Sequence, residues 1–224
     1  MMTNLFSIFD PSTSYYFSLN WMSMMYFLIF FPCIYWVIPS KYLILWNLLI
    51  KFIIKELEVS LSKSMNLYNL IMFISLFIFI MLNNFISLFP YIYNNTSHMS
   101  MSLTFSMMLW VSFMLFGWIK YSFHMFIHLT PQGTPYVLMP FMVLIESISN
   151  IIRPLTLAIR LSANIIAGHL LMTLMSQMMN NLNIILIVGM LMVQSLLVIL
   201  EIAVSFIQSY VFMILSSLYS SETN

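Results

Sequence analysis

Long apolar stretches with almost no charge are the feature that most constrains this chain. Runs such as Met65–Phe89 and Met101–Tyr121 are about as long as the ~20 residues that a helix needs to cross a bilayer. Charged residues make up 6% of the sequence, whereas soluble domains contain about 25%. The runs are continuous and do not alternate, which is typical of membrane helices. The sequence therefore predicts an all-α, polytopic transmembrane protein.

We expect about five membrane helices and one interfacial amphipathic helix. Residues Met1–Asn20 are polar and aromatic and are interpreted as a short interfacial segment. Trp21–Ile38 is expected to be the first span, broken gently by Pro32 and closed by Pro39. Met65–Phe89 and Met101–Tyr121 follow as further spans, so that residues 21–122 form the first group of membrane helices.

Residues 130–224 are expected to form a separate unit, a long helical hairpin. The turn-forming linker Thr130–Pro135 precedes two apolar helices, roughly Tyr136–Met175 and Leu182–Tyr219. Each is too long for an upright span, so we expect tilted or bent helices. The pair Arg153-Pro154 is the natural kink, because proline removes one backbone hydrogen bond.

An amphipathic helix is predicted between the first two spans, over residues 41–63. Its polar residues recur at helical spacing, and apolar residues occupy the other face. This pattern predicts a helix in the interface plane. Four of the chain's seven basic residues lie here, which marks this side as cytoplasmic or matrix. The polar face is Lys51, Lys55, Glu58 and Ser62; the basic residues are Lys41, Lys51, Lys55 and Lys63.

A stripe of polar residues runs along the first helix of the hairpin. At about 100° per residue, Glu146, Asn150, Arg153, Arg160 and Asn164 fall on one face of a surface otherwise made of Leu, Ile, Met, Val and Ala. A charge at the bilayer centre costs at least ~2.5–3.5 kcal/mol and normally faces protein or water. The stripe therefore predicts a functional site. An alternative for two of its members is an ion pair between Glu146 and Arg153 that only holds helices together.

The second hairpin helix carries its own polar face. Gln194, Glu201 and Gln208 repeat every seven residues, with Ser205 between them. Hydrogen bonding between helices accounts well for Gln194. A carboxyl such as Glu201 in lipid must be protonated or in contact with water or a cation. His169 lies about 180° from Arg160, so it is off the arginine stripe and is placed to meet Glu201 across the hairpin.

Several other classes of function are disfavoured by the residues. His124 and His128 have the spacing of a metal pair, but no third ligand is nearby, so we expect interfacial histidines and no metal site or cofactor. A net charge of +1 argues against a nucleic-acid partner. Cys33 lies in an apolar run and is interpreted as an inert, buried thiol. The chain has no phosphate-binding glycine loop, which disfavours nucleotide chemistry within the chain itself.

The segment Ile151–Leu171, IIRPLTLAIRLSANIIAGHLL, resembles the signature of the subunit a family of F-type ATP synthases in its mitochondrial form. Pro131–Pro135, Ala203–Phe212 and Leu218–Asn224 resemble other parts of the same family, particularly from insect mitochondria. The similarity covers essentially the whole chain, although the first forty residues match only loosely.

The resemblance implies roles for individual residues. Arg160, in the context LAIRL, would be the essential stator arginine, with Asn164 and Gln208 flanking a rotor interface. Glu146 would serve one aqueous half-channel, on the matrix side. His169 and Glu201 would serve the other, on the side of the intermembrane space. Asn150, Arg153, Gln194 and Ser205 remain secondary or structural candidates.

The resemblance also implies partners and a location. The partners would be a ring of small rotor subunits that each carry a buried carboxylate, peripheral-stalk and other membrane-sector subunits, and the lipid bilayer. The location would be the mitochondrial inner membrane, with the N-terminus in the intermembrane space and the C-terminus in the matrix. The chain would not be an enzyme by itself.

Two rival functions remain from the residues alone. A secondary transporter would show inverted repeats and broken, glycine-rich helices, but no repeat is visible and the chain has four Gly. A structural subunit with no transport role would use its charges to hold helices together. In that case neutralising Arg160 would harm assembly and leave proton flux intact.

Overall fold

The structure, a computed structural model, describes residues 5–33, 36–61, 67–130, 135–179 and 183–223. Short 3-10 helices occupy Leu5–Phe9 and Leu19–Tyr26. Seven α-helices occur in the described part of the chain. They are α1 (Phe27–Phe30), α2 (Lys41–Ser60), α3 (Leu67–Ser87), α4 (Met99–Lys120), α5 (Ser122–Leu129), α6 (Met139–Met178) and α7 (Ile184–Thr223).

Helices α3, α4, α6 and α7 are long and apolar enough to cross a membrane. Helices α6 and α7 contain 40 residues each. At 1.5 Å per residue each is about 60 Å long, roughly twice the hydrocarbon thickness. Helix α6 continues through Pro154, which is buried. The predicted all-helical, polytopic class and its long hairpin are confirmed.

The first predicted span is shorter than expected. The 3-10 helix Leu19–Tyr26 runs into α1, and the chain is extended at Phe31, with φ −73° and ψ 122°. Pro32 explains this ending, because the proline ring disfavours helical geometry in the residue before it. Eight plus four helical residues do not reach the ~20 of a full span. The expectation of a full span only gently broken at Pro32 was therefore wrong. The Cys33 side chain, which was expected to be buried, is exposed.

Helix α2 is amphipathic and packs with its apolar face inward. Ser40 caps the helix by accepting a 3.3 Å hydrogen bond from the backbone N–H of Leu43. Trp46, Ile53 and Leu57 are buried against α3 and α7. The side chains of Lys51, Lys55 and Glu58 are exposed, on the face that the sequence predicted to be polar.

Helix α7 is the central packing element, and it contacts α2, α3, α4 and α6. Its buried surface is rich in small hydroxyl residues, which let neighbouring helices approach closely. Each hydroxyl donates a hydrogen bond to a carbonyl oxygen one turn earlier in the same helix. The buried residues of this kind are Ser205, Ser209, Ser216, Ser217, Ser220 and Thr223.

The short helix α5 was not expected. His124 and His128 lie on it, with ring centroids 4.4 Å apart and planes at 65°. Among the described residues no third His, Cys, Asp or Glu joins them. Some predicted features lie outside the described residues: Ser62, Lys63, residues 131–134 of the linker and residues 180–182 of the hairpin turn.

Candidate functional site

The polar residues of α6 and α7 form separate groups along the hairpin. The first group is centred on Arg153, in the N-terminal half of α6. Its Nη2 atom lies 3.8 Å from Oε1 of Glu146, which is two turns earlier on the same helix. Its Nη1 atom donates a hydrogen bond to Glu222 Oε2, at the end of α7. The guanidinium also lies 5.5 Å from the centroid of the Tyr219 ring, within cation–π range.

Arg153 is therefore shared between two carboxylates on different helices. Its side chain is 32% exposed, and those of Glu146 and Glu222 are 37% and 51% exposed. Asn150 lies beside them and lines a cavity of about 20 Å³ together with Arg153 and Glu222. This volume is enough for about one water molecule. The group combines acids, a fixed cation and room for water at one end of the hairpin.

Arg160 occupies a different environment, although it lies on the same helix seven residues further on. Its side chain is exposed, and within the described residues it forms no ion pair or hydrogen bond. Leu157, Ala158 and Leu161 are buried on the other side of the helix. The chain's own helices thus cover one face of α6 and leave Arg160 on the uncovered face. Within a bilayer, a guanidinium in this position needs water or a partner from outside the chain.

Asn164 lies one turn after Arg160, on the same exposed face. It also lines a second cavity, between α3, α6 and α7. Asn164 therefore links the uncovered surface around Arg160 with the interior of the protein.

This second cavity has a volume of about 30 Å³, enough for about two water molecules. Its polar lining comes from three helices: Asn84 and Ser87 of α3, Asn164 and His169 of α6, and Glu201 and Ser205 of α7. We name it the His169–Glu201 cavity. It lies at the end of the hairpin opposite to Arg153.

The ionisable groups of the His169–Glu201 cavity are buried and unsatisfied by protein atoms. His169 Nε2 and Glu201 Oε2 are inaccessible to solvent, and neither has a hydrogen-bond partner among the described residues. The side-chain nitrogen and the side-chain oxygen of Asn84 are also buried without a hydrogen-bond partner among the described residues. Buried polar atoms without protein partners normally bind water when there is room for it. The cavity is thus suited to hold water between a histidine and a carboxyl.

Gly168 allows Glu201 to reach this position. A Cβ atom at residue 168 would lie 2.6 Å from Glu201 Oε1 and 3.1 Å from its carboxyl carbon. The carboxyl therefore packs directly against the backbone of α6. Glycine is the only residue that leaves this space open without displacing the acid.

Only part of the predicted polar face of α7 lines the His169–Glu201 cavity. Glu201 and Ser205 line the His169–Glu201 cavity, and the Ser205 hydroxyl donates a 2.7 Å hydrogen bond to Ile202 O. Gln194 and Gln208 are half-buried and are not part of the cavity lining. The predicted meeting of His169 and Glu201 occurs as a shared cavity; no hydrogen bond between them is present in the described structure.

Sequence reasoning missed Glu222, Gly168 and Asn84. Glu222 stands in a polar tail and gives no periodic signal. Gly168 precedes His169 in a helix rich in large apolar residues, and that contrast in size was the available signal. Asn84 is one of two adjacent asparagines within an apolar span, which is itself an unusual place for an amide.

The fold and the site together define a class: a polytopic helical membrane protein with ionisable groups and small polar cavities inside its membrane helices. The family model described as "ATP synthase A chain" matches residues 17–221. The chain belongs to this family, and it is accordingly a proton-translocating subunit of the membrane sector of an ATP synthase.

Curated relatives resemble the chain over its full length. It is 54% identical to the ATP synthase subunit a of Drosophila melanogaster over 224 residues, covering 100% of both chains. It is 54% identical to the subunit a of Aedes aegypti over 231 residues and 53% identical to that of Anopheles gambiae over 228 residues. Both of these matches also cover 100% of each chain.

Proposed function

We propose that the chain is the stator subunit against which a rotor ring turns, and that Arg160 is the cation that the ring's carboxylates meet. The observation that carries this proposal is the position of Arg160 on the uncovered face of α6, without a partner in the described part of its own chain. By contrast Arg153, on the same helix, is paired within the chain. A partner that brings a negative charge would satisfy Arg160.

The physical mechanism follows from the cost of charge in lipid. A protonated ring carboxyl can face lipid at low cost, whereas an ionised one cannot. The Arg160 guanidinium stays charged when partly desolvated, so it offers the ionised carboxylate a stable position. As a carboxyl approaches Arg160 its proton leaves by one path, and past Arg160 the next carboxyl is protonated from the other path. The positive charge of Arg160 also opposes a direct leak between the paths.

The two water-accessible paths would be the polar groups at opposite ends of the hairpin. Along the axis of α6, Arg160 lies about 10 Å from Arg153 and about 14 Å from His169. We assign one half-channel to Glu146 and Asn150, with Arg153 and Glu222 as an ion pair that holds them in place, and the other to the His169–Glu201 cavity. The membrane potential supplies ~2.3 kcal/mol per charge per 100 mV, which gives ring rotation its direction.

Asn164 and Gln208 would flank the rotor interface in this arrangement. Asn164 is exposed next to Arg160 and lines the His169–Glu201 cavity, so it is placed where a proton would pass from the cavity to the ring. Gln208 is half-buried on α7, and its amide would contribute to the same interface. Gln194 is assigned a role in helix packing.

The location is proposed from charge and from the relatives. Lys41, Lys51 and Lys55 lie on the amphipathic helix α2, and Lys120 ends α4. We infer that these residues share one side of the membrane, because basic residues concentrate on the cytoplasmic or matrix side. We assign that side to the mitochondrial matrix, with the C-terminus there and the N-terminus in the intermembrane space. The further partners would be peripheral-stalk and other membrane-sector subunits and lipid. No cofactor and no nucleic acid takes part in this mechanism.

The decisive experiment compares Arg160→Ala with Arg153→Ala in the assembled complex, with the ring and the catalytic head verified as present. Without Arg160 the ionised ring carboxylate would bear the ~2.5–3.5 kcal/mol cost of a charge in the membrane, which predicts a roughly 70- to 400-fold fall in proton-driven ATP synthesis for Arg160→Ala. Arg160→Lys should also fail, because an ammonium is more strongly hydrated.

Arg153→Ala serves as the contrast, because its charge is satisfied within the chain. We expect less complex in the membrane but substantial synthesis per complex. Normal coupled synthesis by Arg160→Ala would refute the mechanism. Loss of assembly with normal flux per complex in Arg160→Ala would instead identify a structural subunit.

A further inference from the structure

The N-terminal segment, residues 5–26, folds over the loop that joins α3 to α4. The Ser23 hydroxyl donates a 3.0 Å hydrogen bond to Tyr93 O, and the Asn95 side-chain amide donates a 2.8 Å hydrogen bond to Ser23 Oγ. The Trp21 ring lies 6.0 Å from the Tyr93 ring and 5.2 Å from the His98 ring, centroid to centroid. This contact places the segment at the end of the protein where the His169–Glu201 cavity lies, since Ser87 at the end of α3 lines that cavity.

Two titratable side chains of the loop are hydrogen-bonded to each other. The Tyr93 hydroxyl and His98 Nε2 form a hydrogen bond, and both side chains are half-buried. Burial and the charge of nearby Asp10 raise the pKa of Tyr93 to about 12. The hydroxyl therefore keeps its proton at physiological pH and acts as a neutral partner of the histidine. Asp10 itself is exposed, which puts a negative charge at the solvent end of this group.

Phe9 lies between this group and the cavity. The Tyr93 hydroxyl is 3.4 Å from the backbone oxygen of Phe9, within hydrogen-bond distance. The ring of Phe9 packs edge-on against the imidazole of His169, with centroids 6.5 Å apart and planes at 87°. One residue thus contacts the Tyr93–His98 pair through its backbone and His169 through its side chain.

We propose that Asp10, Tyr93 and His98 form the outer proton-collecting station of the path to His169 and Glu201, with the Phe9 ring as the barrier between station and cavity. This inference rests on the proposed function. In the step we assign, neutral His98 takes a proton from hydronium and releases water. The proton then passes by water along the Phe9 ring to neutral His169, and the ionised Glu201 carboxylate is its last acceptor in this chain.

His169 and Glu201 can exchange protons only if protons reach the cavity from outside the protein. His169 Nε2 and Glu201 Oε2 are buried and lack protein partners in the described structure, so their protons must be exchanged through water. On the side away from Arg160, the contacts of the imidazole lead to Phe9 and from there to Tyr93 and His98. Histidine suits the outer position because its ring nitrogens can accept and release a proton, as in proton shuttles. The negative charge of Asp10 raises the local concentration of cations, protons included.

The test uses the assembled complex in sealed membranes and measures passive proton flux per complex as a function of pH on the outer side. His98→Gln keeps a hydrogen-bonding group for Tyr93 but cannot carry a proton. We expect a roughly 3- to 10-fold lower flux and a weaker dependence of the flux on the outer pH. The matched control is His124→Gln, the same substitution at an exposed position of α5, which should leave flux and profile unchanged.

A second variant tests the barrier. Phe9→Ala removes the ring that covers His169, and we expect a flux above that of the wild type. An unchanged flux and pH profile in His98→Gln would overturn the proposal, as would a flux at or below the wild-type value in Phe9→Ala. A lower amount of complex with normal flux per complex would show that the group only anchors the N-terminal segment. Arg160→Ala in the same membranes separates the two hypotheses: if it abolishes coupling while His98→Gln is silent, only this inference fails.

Discussion

The substitution Gly168→Ala tests whether the position of the Glu201 carboxyl controls proton flow. The added methyl group would lie 2.6 Å from Glu201 Oε1, whereas ordinary contact begins near 3.4 Å, so the oxygen must withdraw by about 0.8 Å. The obstacle is the end of a flexible side chain, and the carboxyl can move by leaving its preferred rotamer at a cost of ~0.5–1.5 kcal/mol. At about 1.4 kcal/mol for each factor of ten, this cost predicts roughly 2- to 10-fold slower proton-driven ATP synthesis.

The fold itself should tolerate Gly168→Ala. Alanine is favoured over glycine in a helix interior by about 1 kcal/mol, so the amount of assembled complex should not fall. The matched control is Gly189→Ala on α7, where an added Cβ meets no atom within 4 Å. Both variants gain the same helical preference, and only one displaces the carboxyl.

The assay is ATP synthesis and passive proton flux per complex, measured side by side in membranes that carry each variant. Gly168→Ala should lower both rates, and Gly189→Ala should match the wild type. Equal rates in the two variants would refute the reasoning, because they would show that a shift of this size at Glu201 does not matter. Loss of the complex only in Gly168→Ala would show that the methyl group moves a helix instead of the side chain.

Three further outcomes are expected. Glu222→Gln and Arg153→Gln should destabilise the isolated complex non-additively, with a coupling of about 0.2–1 kcal/mol in a double-mutant thermal series; strict additivity would contradict the ion pair. Ser217→Leu should cost about 1–3 kcal/mol by overpacking a fully buried position and lower the yield of complex, whereas the exposed Ser221→Leu should not. The raised pKa of Tyr93 means that its contribution to stability is complete below pH 10.0 and is lost as pH rises toward about 12. A UV difference titration of wild type against Tyr93→Phe should show that phenol ionising near pH 12, and ionisation near pH 10 would contradict its burial.

The long helices and the placement of Arg160 follow from simple patterns. A charge in an apolar run has few tolerated positions, so helical periodicity alone groups Glu146, Arg160 and Asn164 on one face of α6. The length of the apolar runs likewise predicts α3, α4, α6 and α7, because a helix needs about 20 apolar residues to cross a bilayer. The first span is shorter than expected because Pro32, which was expected to break it only gently, ends the helix at Phe30.

The contact between Arg153 and Glu222 was beyond sequence reasoning for a geometric reason. The contact of Gly168 with Glu201 fixes one level of the antiparallel hairpin. Because the two helices are antiparallel, counting fifteen residues back from Gly168 on α6 and fifteen residues forward from Glu201 on α7 places Arg153 opposite Ser216. Glu222 lies six residues further along α7. Only the actual crossing of the helices and the reach of the arginine side chain bring the charges together. Such details depend on packing, which periodicity does not encode.

The hydroxyl residues along the packed face of α7 have a mechanical consequence. Because each of them bonds to its own helix, the contact with α3 and α4 depends on shape and involves little directional bonding. Within the described structure the hydrogen bond across this face joins Ser217 Oγ to Ser60 Oγ of α2, at 3.1 Å. A sideways force on α7 would therefore shift packed side chains and break few hydrogen bonds. We expect a helix packed in this way to move slightly under torque from a rotating partner and to keep its own hydrogen bonds.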